Sequence, residues 1–242
     1  MIFGDQRQAP ALAPLLGIRG LGAEVGGRLV QPSGILHVGG HHGEEAAYYQ
    51  QHGAQTVVWI EAEPDAFEIL RRNISGYAGH HCIQALVTDL DGEERPFYRH
   101  RFGSGTKRGF CSTLPWNPAV VETDPVLSRL ETFEVSRMKS VTLSTLLREH
   151  GFPPDRFQYL SLNVQGAELM VLRGLREYLD PLQWIFCDGE LDATSSRYQG
   201  APALSEVADW LAPRGFRPAW LPPVRQQLFY RSHGGTATPS EA

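Results

Sequence analysis

One stretch, residues 35–61, restricts the fold of this chain more than any other part of the sequence. It begins with an apolar run at 35–38, passes through a glycine turn and a short helical segment, and ends in a second apolar run, 57–60, followed by Glu61. In doubly wound folds, glycines at the first turn let a ligand approach the backbone, and an acid after the second strand accepts hydrogen bonds from a ribose diol. The stretch therefore predicts a nucleotide-type pocket.

The glycine turn lacks the spacing of a dinucleotide site. That fingerprint needs glycine two and five places after the first, but counting from Gly39 these places hold His41 and Glu44. A pyrophosphate also prefers a bare helix N-terminus, whereas Glu44 and Glu45 occupy the mouth of this turn. The acids favour a ligand with a ribose and no phosphate, and S-adenosylmethionine is such a ligand. The turn by itself leaves open a glycine-rich loop without special function.

Composition narrows the class of protein. A chain of 242 residues with 42% apolar content is long enough for one α/β domain with a full core. The net charge is −5 and the basic residues are scattered, so no electrostatic footprint for nucleic acid or an acidic membrane is present. The apolar stretches are shorter than the roughly 18–20 residues of a membrane span, and the N-terminus does not resemble a secretory leader. We expect a cytoplasmic enzyme with a small-molecule or protein partner, in an oligomeric state that the sequence does not indicate.

Strands and helices alternate along the chain, which predicts a Rossmann-like, doubly wound α/β fold with a mostly parallel sheet. A helix is predicted from Pro64, and strands are predicted at 35–38, 57–60, 81–87, 157–164 and 184–187. An antiparallel hairpin of 217–221 with 227–231 closes the C-terminal end of the sheet. A second hairpin is predicted between the strand 81–87 and residues 94–100.

Three regions flank or interrupt this pattern. Residues 1–34 are expected to form an N-terminal arm or cap, with a short helix near 12–18, before a main domain at 35–232. Regular pattern is missing from 101–138, and long unpatterned segments of compact domains are usually lids or binding loops, so we expect a lid on the acceptor side. Within it, Phe110 and Trp116 either cover an apolar acceptor or pack inside the lid. Residues 233–242 are expected to be a disordered tail.

Polar residues follow four of the predicted strands, at the edge where parallel strands bind ligands. They are the glycine turn 39–43, Glu61, the segment 163–168, and Asp188 with Glu190.

Several segments in this order resemble the FkbM-type S-adenosylmethionine-dependent methyltransferases. HVGGHHG at 37–43 is similar to the family's D-V-G-A-N/H-x-G turn, EAEP at 61–64 to its acid step, and LNVQGAE at 162–168 to its D-V-E/Q-G-A-E motif. VTLSTLL at 141–147 also resembles a family segment. The last motif, followed by LMVLRG, is the most specific, and the resemblance covers roughly 35–232.

The resemblance implies a class I methyltransferase fold, S-adenosylmethionine as the cofactor, and methyl transfer to a hydroxyl of a small molecule such as a sugar or secondary metabolite. Proton acceptors would be His41, His42 or Asp188, with Asn163 orienting the acceptor hydroxyl. By fold analogy, the end of the third strand should frame the adenine. The expected cofactor-binding residues are His37, Gly39, Gly40, Gly43, Glu61, Ala62, Ala85, Leu86 and Asn163.

Two departures from the family motifs each replace a carboxylate. His37 and Asn163 stand where the family has acids, and an amide cannot act as a general base at ordinary pH. A catalytically silent relative that keeps the fold for binding or assembly therefore stays an alternative. A nicotinamide-dependent oxidoreductase is disfavoured by the glycine spacing.

The cysteines and two of the acids are given no role in binding or catalysis, and no metal site is assigned. Three cysteines without C-x-x-C spacing suggest neither a disulfide framework nor zinc. No metal ligands are assigned, although Asp188 and Glu190 with an acceptor diol are a weak magnesium candidate. Glu63 is expected to be a solvated turn acid, and Glu168 is expected to cap the helix that it begins.

Overall fold

The computed structural model describes residues 20–102, 109–192, 195–219 and 225–232. The helix predicted near 12–18 and the tail 233–242 lie outside these ranges. The strands are β1 (Glu24–Val25), β2 (Arg28–Leu29), β3 (Gly34–Val38), β4 (Thr56–Glu61), β5 (His80–Gln84), β6 (Leu86–Thr88), β7 (Glu94–Phe102), β8 (Leu130–Thr142), β9 (Tyr159–Leu162), β10 (Trp184–Asp188), β11 (Phe216–Pro218) and β12 (Gln226–Arg231). The α-helices are α1 (Ala46–Gln51), α2 (Pro64–Asn73), α3 (Pro118–Val121), α4 (Leu143–Glu149), α5 (Glu168–Arg173) and α6 (Leu204–Leu211).

Seven strands form the central sheet in the order β11-β12-β10-β9-β3-β4-β5. Five neighbouring strands, from β10 to β5, run parallel, and β12 is antiparallel to both β10 and β11. This order confirms the doubly wound, mostly parallel sheet with a C-terminal antiparallel hairpin, the topology of class I methyltransferases. Among the described residues, no helix is long and apolar enough to cross a membrane.

The central strands are apolar because both of their faces are buried. Alternate residues point to opposite faces, so Leu36 and Val58 pack with α4, α5 and α6, while Ile35 and Trp59 pack with α1 and α2. All six residues of β4 are buried. Helix α2 begins where predicted, with Pro64 in its first turn and the Glu63 carboxylate accepting a hydrogen bond from the Ala66 N–H at 2.6 Å.

A second sheet, β6-β8-β7, corrects two predictions. The predicted strand 81–87 divides at Ala85 into β5 and β6, and β7 pairs with β8 instead of with that strand. The segment 101–138 was also expected to lack regular structure, yet it contains α3 and the first nine residues of β8. Most side chains in this part of β8 are exposed or half-buried, so burial imposes no apolar alternation that a sequence pattern could reveal.

The two halves of the central sheet meet at β3 and β9, where the strand order reverses and doubly wound folds open a ligand crevice. Gly39 follows β3 with a φ of +83°, and a Cβ placed on it would lie 1.9 Å from the carbonyl oxygen of Asn163. The N–H groups of Gly39 and Gly40 both donate to the carbonyl of Ile60, at 2.9 and 3.0 Å. Only glycine fits this approach of two backbones.

We predict that Gly39→Ala destabilises the protein more than Gly92→Ala does. Gly92 has a similar φ of +77° but open space around its Cα, so it is a matched control for conformational strain alone. Backbone strain should lower the free energy of unfolding by about 1–2 kcal/mol at either position. At Gly39, the clash of the added methyl group with the Asn163 carbonyl should lower it by roughly 1–3 kcal/mol more. Urea unfolding measures both losses, and equal losses would contradict the close approach.

Candidate active site

A single row of residues crosses the carboxyl ends of the parallel strands. Val38 pairs with Ile60 on one side and with Leu162 on the other, and Leu162 pairs with Cys187. One residue further along these four strands, the row consists of Glu61, Gly39, Asn163 and Asp188. Neighbouring strands lie about 4.8 Å apart, so the row is roughly 14 Å long. The structure thus brings together predicted site residues that are far apart in sequence.

Glu61 occupies one end of the row and holds two loops together. Its carboxylate accepts hydrogen bonds from the N–H groups of His41 and Glu63, both at 2.8 Å. Burial raises the pKa of Glu61, although these N–H donors and His41 act in the opposite direction. Each oxygen keeps acceptor capacity beyond its one backbone bond, which is what a ribose diol requires.

Glu63 is not the solvated turn acid that the sequence suggested. Its side chain is 2% exposed and forms an ion pair with Arg99 of β7, whose Nε donates to Glu63 Oε1 at 2.8 Å. Arg99 also donates to Asp65 at 3.0 Å and to Glu134 of β8 at 2.5 Å. Arg99 thus connects the turn after β4 to the second sheet. The Glu63–Arg99 ion pair joins residues that are far apart in the chain, so no sequence spacing predicts it.

His37 is in β3, two residues before Gly39. Its side chain lies on the face of the sheet that packs against α1. It is 1% exposed, its ring stacks on Trp59 with centroids 4.7 Å apart, and its Nδ1 lies 3.1 Å from the Tyr49 hydroxyl. Glu45 Oε2 is 3.9 Å from the same nitrogen. His37 contacts protein groups beneath the glycine turn, so any help that it gives to a cofactor passes through them.

His41 and His42 stand together on the glycine turn. His41 has a φ of +43°, a conformation that few non-glycine residues adopt, and its ring stacks on that of His42 with centroids 3.7 Å apart. Burial and the neighbouring His41 lower the pKa of His42. Gly43, with a φ of +75°, closes the turn, where a Cβ would lie 2.8 Å from Leu70.

The other residues predicted to bind the cofactor, Ala62, Ala85 and Leu86, follow the ends of β4 and β5. Ala62 follows Glu61 and is half-buried, and the Ala85 N–H donates to the Glu61 carbonyl at 3.2 Å. Leu86 is buried and begins β6, which turns away from the central sheet to pair with β8.

Asn163 begins a network that reaches the other side of the site. Gln165, in the left-handed region with a φ of +57°, donates from Nε2 to Asn163 Oδ1 at 2.5 Å. The Tyr198 hydroxyl lies 2.8 Å from Gln165 Oε1, and the Ser112 hydroxyl donates to the Gln165 carbonyl at 2.7 Å. These bonds orient the amide of Asn163 through the half-buried Gln165, which is held in turn by the buried Tyr198 and Ser112.

A segment of the predicted lid, residues 109–117, is tied to the loop 195–201. The Asn117 N–H donates to the Arg197 carbonyl at 2.8 Å. The ring of Trp116 stacks on that of Tyr198, with centroids 5.0 Å apart. Trp116 also donates from Nε1 to Nδ1 of His100 at 2.7 Å, and burial lowers the pKa of His100 to about 4. Trp116 is thereby held between His100 of β7 and Tyr198 of the loop 195–201, and whether it also covers an acceptor stays a prediction.

Asp188 ends the row, whereas Glu190 is engaged elsewhere. Gln226 of β12 donates to Asp188 Oδ2 at 3.2 Å. Glu190 is 1% exposed, and its two carboxylate oxygens accept hydrogen bonds from Arg197, at 2.8 Å, and from Arg225. Since both oxygens are neutralised by arginines, the arrangement does not support magnesium at this pair.

Glu168, in the first turn of α5, hydrogen-bonds to the loop that precedes its helix. Its carboxylate accepts hydrogen bonds from the N–H groups of Val164 and Gly166 at 3.2 and 3.3 Å, which holds the loop that carries Asn163. The side chain is 1% exposed, and burial raises the pKa of Glu168 to about 7.

We predict that Glu168→Gln gains stability relative to wild type as the pH rises. The folded protein holds the Glu168 proton more tightly than the unfolded chain does, so its ionisation costs stability between about pH 4.5 and 7. The difference in unfolding free energy between variant and wild type should shift on the order of 3 kcal/mol towards the variant across this window. Urea titrations at several pH values measure it. Glu149→Gln, an exposed carboxylate change, should show no such shift, and a pH-independent difference for Glu168→Gln would refute the prediction.

The sequence matches the family described as Methyltransferase FkbM domain over residues 37–218. The match spans most of the chain, and the chain belongs to the FkbM methyltransferase family. The resemblance drawn from the three motifs is confirmed, and the protein is an S-adenosylmethionine-dependent methyltransferase.

Two solved structures with a similar fold are distant from this chain in sequence. The ribosomal protein L11 methylase of Lactobacillus delbrueckii subsp. bulgaricus has 13% identity and a TM-score of 0.45, covering 95% of this chain and 82% of that one. The N-methyltransferase NodS of Bradyrhizobium japonicum WM9 has 9% identity and a TM-score of 0.47, covering 95% and 99%. At such values the strand order, not these similarities, defines the fold. A comparison with curated proteins finds no match.

Proposed function

We propose that this methyltransferase transfers the methyl group of S-adenosylmethionine to a hydroxyl oxygen of a small molecule such as a sugar or secondary metabolite. The row from Glu61 to Asp188 is the observation that carries the proposal. It places an acid suited to a ribose at one end, a glycine turn next to it, and an amide and a carboxylate at the other end. The first two fit a donor, and the last two fit a polar acceptor.

The donor half of the site fits S-adenosylmethionine in two respects. Glu61 keeps acceptor positions for the ribose hydroxyls, and Gly39 and Gly43 let the turn beside it pack closely against the Asn163 carbonyl and Leu70. His37 supports this turn from below, through its contacts with Trp59 and Tyr49. Ala62, Ala85 and Leu86 are assigned to the adenine, and Gly40 to the amino-acid tail.

The acceptor half supplies orientation and a proton acceptor. The donor provides an electrophilic methyl group; the acceptor oxygen forms the new C–O bond as the C–S bond breaks and sulfur keeps the electron pair. Asn163 orients the hydroxyl, and Asp188 accepts its proton. His41 and His42, the other predicted bases, belong to the donor turn, which makes Asp188 the better placed group. Residues 109–117 and 195–201 form the lid that selects the acceptor.

We predict that Glu61→Ala weakens binding of S-adenosylmethionine about 10- to 100-fold, because two hydrogen bonds to a charged acceptor are lost. Isothermal titration calorimetry measures the affinity. Glu68→Ala, which removes an exposed acid from α2, is the matched control and should bind like wild type. Undiminished affinity in Glu61→Ala would remove this residue from the site, and absence of binding by the wild type would refute the proposal.

We predict that Asp188→Asn lowers kcat about 100-fold or more and leaves the affinity for the donor unchanged, since only proton removal from the acceptor is impaired. Release of S-adenosylhomocysteine across a panel of hydroxylated sugars and metabolites measures turnover. Asp209→Asn, an exposed aspartate of α6, is the control. Full activity of Asp188→Asn would exclude it as the base. Tight donor binding by the wild type without turnover of any acceptor would favour the catalytically silent alternative.

A further inference from the structure

The turn after β4 holds two buried carboxylates only two residues apart. Glu61 and Glu63 are both buried, and the Glu63 N–H donates to Glu61 Oε1 at 2.8 Å, which keeps the two residues close. Burial raises the pKa of Glu61, and the negative charge of Glu63 acts in the same direction. A cation is therefore needed beside this pair if both acids are to stay ionised.

Arg99 of β7 is the cation in this position. Its Nε and Nη2 both donate to Glu63 Oε1, and the other oxygen of Glu63 accepts the Ala66 N–H. The Arg99 side chain is largely buried, so solvent screens the pair little. Within the described part of the chain, no arginine or lysine pairs directly with Glu61. Arg99 thus neutralises one acid and leaves the other accessible to a ligand.

The pairing of β7 with β8 directs Arg99 towards this turn. The ladder shifts register directly after Arg99, where β8 has one additional residue, Phe133. Bulges of this kind change the direction in which a neighbouring side chain points. The guanidinium lies 5.1 Å from the centroid of the Phe133 ring, and it also donates to Asp65 and Glu134.

The residues on either side of Arg99 are held by the predicted lid segment. Tyr98 and Ser112 exchange two backbone hydrogen bonds, at 2.8 and 3.1 Å. His100 accepts the indole N–H of Trp116 at 2.7 Å. The backbone that carries Arg99 is therefore fixed on both sides, and its guanidinium is placed before a ligand binds.

We propose that Arg99 is a positioning residue for the methyl donor: it neutralises the buried Glu63 and so leaves Glu61 as a carboxylate that faces the ribose. The inference rests on the proposed function in the role given to Glu61. Loss of Arg99 leaves an uncompensated buried charge on Glu63, and the repulsion favours protonation of Glu61. A protonated Glu61 has less acceptor capacity for the two ribose hydroxyls.

Other charged or titratable groups face this cluster from the glycine turn, the lid segment, α2 and β8, namely His41, His42, Cys111, Asp65 and Glu134. Burial raises the pKa of Cys111 to about 12, so its thiol stays protonated at neutral pH. All five groups are present in wild type and in the variants below. The ratio of two affinities at one pH therefore reports the change at residue 99.

The test measures binding of S-adenosylhomocysteine by isothermal titration calorimetry at about pH 6 and about pH 8.5, without an acceptor. Relative to wild type, Arg99→Met should weaken binding about tenfold at the lower pH and roughly threefold or less at the higher pH, where Glu61 loses its proton. Adding Glu63→Gln to Arg99→Met should restore the affinity to within about threefold of wild type at both pH values. The buried charge is then gone, while the amide oxygen still accepts the Ala66 N–H.

Arg101→Met is the matched control. Arg101 lies two residues further along β7, over the same Phe133 ring, and pairs with Glu131 of β8. Its loss alters the same hairpin without a contact to the turn after β4, so binding should equal that of wild type. Circular dichroism shows which variants fold. The double variant removes both buried charges and so carries the test even where Arg99→Met does not fold.

Equal affinity of Arg99→Met and wild type at both pH values would overturn the proposal. So would a loss by the same factor at both pH values, because lost packing alone gives no such pH dependence. A double variant that binds as weakly as Glu61→Ala would also overturn it. These outcomes leave the assignment of Glu61 to the ribose intact as long as Glu61→Ala itself weakens binding. Wild-type protein that binds no S-adenosylhomocysteine would refute the proposed function and this inference together.

Discussion

The buried carboxylate of Glu61 is the interaction on which the rest of the site depends. It accepts the N–H groups of His41 and Glu63 and so fixes the loop after β3 against the loop after β4. Glu63 in turn pairs with Arg99, which carries the connection into the second sheet. A carboxylate held this way has its orientation set before any ligand arrives, and preorganised acceptors lose less free energy on binding.

The opposite end of the site is built from side chains instead of main-chain turns. Gln165 links Asn163 to Tyr198, and Tyr198 stacks on Trp116 of the predicted lid segment. A change in the lid would therefore be transmitted to the amide that faces the proposed acceptor. The proposed donor end depends on backbone geometry, namely glycines and strand ends, whereas the proposed acceptor end depends on side-chain contacts that single substitutions can alter.

Much of the sheet could be predicted because burial imposes a pattern on the sequence. β3 and β4 are buried on both faces and appear as uninterrupted apolar runs, and Pro64 marks the start of α2. β8 could not be predicted, because its side chains are largely exposed or half-buried and its partner β7 begins 36 residues earlier. The prediction for Glu63 was wrong for a related reason. In a sequence, a single acid after a strand looks the same whether it is solvated or forms an ion pair with a distant residue such as Arg99.

By itself, the sequence determined the order of the strands of the central sheet, the glycine turn without dinucleotide spacing, and the methyltransferase family. These properties are local, because they follow from burial, from backbone conformations that glycine permits, and from short motifs. Only the tertiary structure decided which polar groups meet. Glu61, Gly39, Asn163 and Asp188 lie in one row because four parallel strands end together. The rings of His41 and His42 stack on the glycine turn, where His41 adopts a left-handed backbone that no spacing in the sequence records.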